Sequence, residues 1–196
     1  MYYLPALKSA SNLIFQTRPS YSNSVISSPK PFAEGIISTE ENSEFELAFS
    51  VDGRTAYFSR RAPGEKQTIY SSVFIDGEWT APQRTRFSTD RVEAAMITPD
   101  GKYFFFGSER PIPGKPNKGN FDMNVWMMQK TETGWSKAKP IGNKINTKNE
   151  ESSPRFSRDG KYFFFSRAEN FGNYEYGEWS IYFVETDYLD LENLFE

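Results

Sequence analysis

The sequence predicts an all-β fold, a β-propeller with blades of four antiparallel strands and three blades in this chain. Three observations carry this: one motif repeats in register, its aromatic runs are short, and Gly and Pro sit where strands must turn or end. The copies are residues 44–59 (EFELAFSVDGRTAYFS), 93–108 (EAAMITPDGKYFFFGS) and 151–166 (ESSPRFSRDGKYFFFS).

Each copy opens with an inner strand and turns at an Asp-Gly pair: Asp52-Gly53, Asp100-Gly101 and Asp159-Gly160. Asp-Gly between two strand-like runs is a strong hairpin signal, because the turn needs a positive φ that Gly adopts cheaply. The second strands, Tyr103-Phe104-Phe105-Phe106 and Tyr162-Phe163-Phe164-Phe165, lack polar alternation. Such a run is expected to be buried on both faces, as in sheets stacked around an axis; a two-sheet sandwich would leave one face wet. A third strand follows around Ile69, Val125 and Ile181, and the fourth carries Trp79 with Pro82, then Trp135 with Pro140. Proline there predicts a sheet edge, where a missing N–H costs least.

The third copy lacks a fourth strand of its own, while residues 32–39 precede the first copy as residues 140–147 precede the third. The N-terminus therefore reads as a stray outer strand. Residues 1–30 form an N-terminal extension, 31–187 the three-blade region, and 188–196 a tail whose pattern is that of a short amphipathic helix. Closed propellers have about 4–8 blades. Either two chains combine into a six-bladed C2 homodimer by exchanging N-terminal strands, or the chain is an open arc.

Composition narrows the chemistry. Aromatic residues reach 17%, with 18 Phe and 11 Tyr, far from a disordered composition. Net charge is −3 with both signs interspersed, which offers no field for nucleic acid. Cys and His are absent, so disulfides, thiolate nucleophiles and a Ser-His-Asp triad are excluded. No cofactor or metal is expected, although carboxylate chemistry stays open. No run approaches the roughly 18–20 apolar residues of a membrane span, and no intact signal peptide is visible. That pattern reads as cytoplasmic, or as a mature fragment whose targeting segment was removed.

The repeat resembles the TolB-type, WD40-like β-propeller repeat, with its Ser-Pro-Asp-Gly-Lys signature. Here it reads Ser50-Val51-Asp52-Gly53-Arg54, Thr98-Pro99-Asp100-Gly101-Lys102 and Ser157-Arg158-Asp159-Gly160-Lys161. The resemblance implies a bacterial envelope or periplasmic binding platform; related propellers also gate peptidases or act as lyases and hydrolases. Fold analogy does not choose among these. The expected function is a non-enzymatic binding or scaffold module for a protein or glycan partner. The alternative is a carbohydrate-active lyase or hydrolase using carboxylates with Arg or Lys.

The candidate ligand-binding residues are those recurring once per blade, and one loop. Glu44, Glu93 and Glu151 open the inner strands near a channel mouth, where they could coordinate a cation, meet a basic ligand or tie blades together. Arg60, Arg110 and Arg167 follow the second strands, where a guanidinium fork more often joins blades than holds substrate. The loop over residues 109–122 is long and basic, with three Pro and two Gly. Its counterpart over 168–178 offers Phe171, Tyr174 and Tyr176 as platforms for a sugar or peptide, or as tyrosines packed on the blade.

Overall fold

The computed structural model describes residues 28–115, 122–169 and 178–195. It is all-β: three antiparallel sheets stand side by side as part of a β-propeller. The first blade comprises β1 (Ser43–Phe49), β2 (Thr55–Arg61), β3 (Thr68–Ile75), β4 (Glu78–Trp79) and β5 (Gln83–Arg84). In the second are β6 (Val92–Ile97), β7 (Tyr103–Ser108), β8 (Asn124–Thr131), β9 (Gly134–Trp135) and β10 (Lys139–Pro140). The third has β11 (Glu150–Phe156), β12 (Tyr162–Glu169) and β13 (Glu178–Glu185).

The repeated signature is a hydrogen-bonded turn. Gly53 N–H donates to Ser50 O at 2.8 Å, and Gly53 itself sits at φ +70°. The Ser50 hydroxyl donates to Asp52 (2.5 Å) while accepting the Thr55 amide (2.9 Å), and Asp52 accepts the Arg54 amide (3.0 Å). Thr98-Asp100 and Ser157-Asp159 repeat the arrangement. The hairpin is thus the longer form, a turn followed by a left-handed Gly, with the Ser or Thr hydroxyl and Asp carboxylate satisfying the amides.

β7 shows what the unbroken aromatic run does. Tyr103 and Phe105 point into a core shared with the third blade, around Phe163, Phe165 and Ile145. Phe104 and Phe106 point into a separate core shared with the first blade, around Ile69 and Trp126, with Tyr57 packed on it. All six residues of β7 are buried. A ring contact of 4.9 Å between Tyr57 and Phe104, and a hydrogen bond from the Trp135 indole to the Tyr57 hydroxyl (3.1 Å), cross the first joint.

The outer strand differs from the expected single strand. It is two short pieces, β4 and β5 on β3, and β9 and β10 on β8. Between them the side chain after each Trp substitutes for the ladder: the Val73 amide donates to Thr80 Oγ1 (3.0 Å) and the Gln129 amide to Ser136 Oγ (2.9 Å). Pro140 lies in the edge piece β10, where no N–H is required.

Both chain ends also differ. Residues 32–39 form turns, with an isolated bridge between Glu34 and Ser38, because Ile37 and Phe32 fold down onto Phe58 and Trp79 of their own blade. At the C-terminus the helix shrinks to one 3₁₀ turn, Thr186–Leu189, closed by Asp190 in the left-handed region. Leu189 is buried, and Leu191, Leu194 and Phe195 pack on the core between blades two and three.

Candidate functional site

The inner strands start, and the second strands end, at one end of the sheets, which puts Glu44 opposite Arg60 in the first blade and Glu151 opposite Arg167 in the third. Glu44 pairs with Arg60 (3.1 Å) and Glu151 with Arg167 (3.0 Å), all with side chains at most 16% exposed. Thr39 donates through its backbone and hydroxyl to Glu44, and Thr147 does the same to Glu151. The guanidinium then donates to a backbone carbonyl of the incoming segment: Ile36 and Ile37 for Arg60, Ile145 for Arg167. Each also lies over two rings, Phe58 and Tyr70 or Phe165 and Tyr182, at 4.7–5.2 Å. This Thr-Glu-Arg clasp locks the entering segment to its blade. Burial pushes the Glu151 carboxyl above its ordinary range, against the pull of Thr147 and Arg167.

The middle blade departs from the pattern. Val92 faces Ser108 across the ladder and Glu93 faces Gly107, whereas Glu44 faces Arg60 and Glu151 faces Arg167. Glu93 is therefore one residue out of step with the other two acids, a shift that reverses the face of a strand residue. Aligning the copies on their Asp-Gly pairs gives the same register. Arg110 lies two positions beyond its strand equivalent, Ser108, yet reaches back to donate to the Phe87 carbonyl and lies over Phe106 and Trp126. Burial lowers the Arg110 pKa from its ordinary value.

Glu93 instead joins a polar network that does not repeat. Arg91 donates to it (2.9 Å) and stands 3.8 Å from Glu109, which pairs with Lys66 of the first blade (3.2 Å). From the third blade, Ser152 donates to Glu93 (3.1 Å). The network thus spans three blades and includes Glu109, the first residue of the loop. Lys66, Arg91 and Glu109 escape a search based on repeats because the other blades lack equivalents. Their only signal is the spacing of Arg91 and Glu93, two apart where β6 begins. Phe171, Tyr174 and Tyr176 lie outside the described residues, as does the loop segment 116–121.

The inner strands share a second feature. Glu46, Ala94 and Ser153 occupy equivalent places and all adopt positive φ (50°, 59° and 54°) at a register shift in the ladder. At the opposite end of the sheets is a cleft of about 590 Å³ between the second and third hairpins and the tail. It is lined by Asp100, Asp159, Asp187, Asp190 and Glu192, with Lys102 and Tyr103. None of the described candidate residues lines it, and no group of acids among the described residues has the geometry of a metal site.

No protein-family model matches the sequence, and no curated protein does. Among solved structures, TolB from Acinetobacter baumannii superposes with a TM-score of 0.48 at 21% identity, covering 72% of this chain and 29% of its own. A prolyl endopeptidase gives 0.49 at 18%, covering 74% and 20%. A puromycin-hydrolyzing peptidase of Mycobacterium tuberculosis gives 0.49 at 14%, covering 81% and 24%. The chain spans between a fifth and a third of the length of these three structures. Its propeller architecture is read from its own three sheets.

Proposed function

We propose that this chain is a non-enzymatic binding or scaffold module of the bacterial envelope for a protein or glycan partner, and that two copies complete a six-bladed ring. The supporting observation is the Lys66-Glu109-Arg91-Glu93-Ser152 network. It brings both signs of charge together at Glu109, where the 109–122 loop begins, and couples three blades into a single surface. Mixed charge on a rigid platform suits a polar peptide surface or an oligosaccharide.

Within this reading Glu93 belongs to the ligand face, and Phe171, Tyr174 and Tyr176 are assigned to ligand binding from the sequence alone. Glu44, Glu151, Arg60, Arg110 and Arg167 support it from behind by holding the entering segments. Glycoside hydrolysis needs two carboxylates aimed at a common point; Glu44 and Glu151 are each committed to the clasp of their own blade.

A glycan array run beside a pull-down from envelope extract identifies the partner class. The Lys66→Glu and Glu93→Gln variants are expected to weaken the captured interaction at least about tenfold while the fold persists. Unchanged binding by both variants and by a Tyr174→Ala, Tyr176→Ala variant removes the reading.

A further inference from the structure

The third blade differs from the other two at its outer edge. β3 carries two outer pieces beside β2, and β8 carries two beside β7, but among the described residues β13 pairs only with β12. Its side chains are exposed in the same sense. Ile181 occupies the place held by Ile69 and Val125, since the three face Ser166, Ser59 and Gly107 across equivalent ladders. Ile69 and Val125 are 0% exposed, whereas Ile181 is 78% exposed. Phe183, equivalent to the buried Met127, is 62% exposed. These residues form the face that the first two blades present to the next blade in line.

The other end of the chain holds the matching half. The segment entering the first blade has the conformation of the one passing from the second blade to the third. Ala33 O accepts the Ile36 and Ile37 amides, as Gly142 O accepts those of Ile145 and Asn146. Arg60 grips the Ile36 carbonyl as Arg167 grips that of Ile145. This correspondence places Lys30-Pro31 on Lys139-Pro140, the same dipeptide, and Phe32 on Ile141. In the second blade Lys139-Pro140 is the edge strand β10, paired with Met127 and Trp126, and the Ile141 amide donates to Val125 O. Lys30 and Pro31 are exposed.

We propose that Lys30-Pro31 of one copy is the missing edge strand of β13 in a second copy, with Lys30 opposite Phe183, Pro31 opposite Tyr182 and the Phe32 amide on the Ile181 carbonyl. This rests on the two-copy ring proposed above and fixes its register. The second copy continues the stacking that already joins the first blade to the second and the second to the third. It covers Ile181 and Phe183 with the face that carries Phe58 and Ile37. A two-fold axis makes both joints identical and closes the ring.

The chain has no Cys, so paired cysteines report the register cleanly. Residues directly opposite across an antiparallel ladder fall within disulfide reach. Oxidised Lys30→Cys/Phe183→Cys is expected to run as a covalent dimer on a non-reducing gel. The frame-shifted Pro31→Cys/Phe183→Cys, whose side chains leave opposite faces, is expected to stay largely uncrosslinked. Positions 30, 31 and 183 are all exposed, so the fold is retained. Ile181→Asp is expected to weaken self-association at least about tenfold by sedimentation. A wild-type dimer with no crosslink at 30/183, or with equal crosslinking in the shifted pair, overturns this register and leaves the two-copy ring standing. A wild-type monomer at about 100 μM, where even a Kd of 10 μM would give mostly dimer, overturns both. An intramolecular 30–183 disulfide also overturns both.

Discussion

Glu46 reaches out of the first blade and accepts the backbone N–H of Ala94 in the second at 2.6 Å. Ala94 is fully buried and sits at φ +59°, a left-handed position that L-residues seldom adopt. The same carboxylate accepts the Ser59 hydroxyl (2.9 Å), so one side chain satisfies a buried amide and fixes a neighbouring strand. Glu46→Ala is expected to destabilise by about 1.5–3 kcal/mol, the range for hydrogen bonds to charged groups. Glu46→Gln, whose amide oxygen can still accept, should lose much less. Urea unfolding midpoints separate the two.

The clasps differ in burial, and their energetics should follow. The Glu151 side chain is 0% exposed and that of Glu44 15%. Removing the arginine from a buried pair leaves an uncompensated carboxylate and costs about 3–5 kcal/mol. Arg167→Ala is therefore expected to destabilise more than Arg60→Ala. Lysine should rescue neither, because one ammonium cannot span the carboxylate, the carbonyl and two ring faces. Thermal melts of the four single variants give the order.

Gly107 is required by close approach. A Cβ there would lie 2.8 Å from Ser152 Oγ and 2.9 Å from Met123 Cε. The methionine end can swing away, but Ser152 is engaged with Glu93. Gly107→Ala is expected to cost about 1–3 kcal/mol, typical of overpacking. A Gly107→Ala/Ser152→Ala double variant should recover part of it, which a double-mutant cycle measures.

The turn aspartates set an acid limb. The Ser50 hydroxyl, with the Arg54 amide, holds Asp52 below its ordinary range despite some desolvation. At Asp100 burial pushes upward but Thr98 and the Lys102 amide outweigh it, while Ser157 and the Lys161 amide lower Asp159. A carboxyl with a lowered folded pKa contributes stability that is present above its unfolded value, near about 3.9, and is lost as pH falls through the folded value. Replacing all three with Asn should therefore flatten the fall in melting temperature below about pH 4. An unchanged slope would remove these turns as its source.

The turns were legible because their chemistry is local. Ser50, Asp52 and Gly53 satisfy one another within six residues, and any copy of that cassette in a sequence specifies the same hairpin. The double-sided burial of Phe104 and Phe105 was legible for a similar reason, since neither neighbour in the run is polar. The register of Glu93 was not. Three glutamates look equivalent, but the shift that separates Glu93 from the others shows only when the Asp-Gly pairs are superposed. The left-handed positions were hidden because Glu46, Ala94 and Ser153 fill them where glycine would have announced them. The network around Glu93 was hidden because it binds residues 66 and 152 through tertiary contact alone.

The complete burial of β7 also has a kinetic meaning. A linear stack of units loses order from its ends, because each end unit has one neighbour where an inner one has two. Amide protons of β7 exchange only when both flanking joints open, whereas those of β13 need only local fraying. A single chain without its second copy should therefore melt as a zipper pulled from its third blade, with the Phe104 amide among the last to exchange.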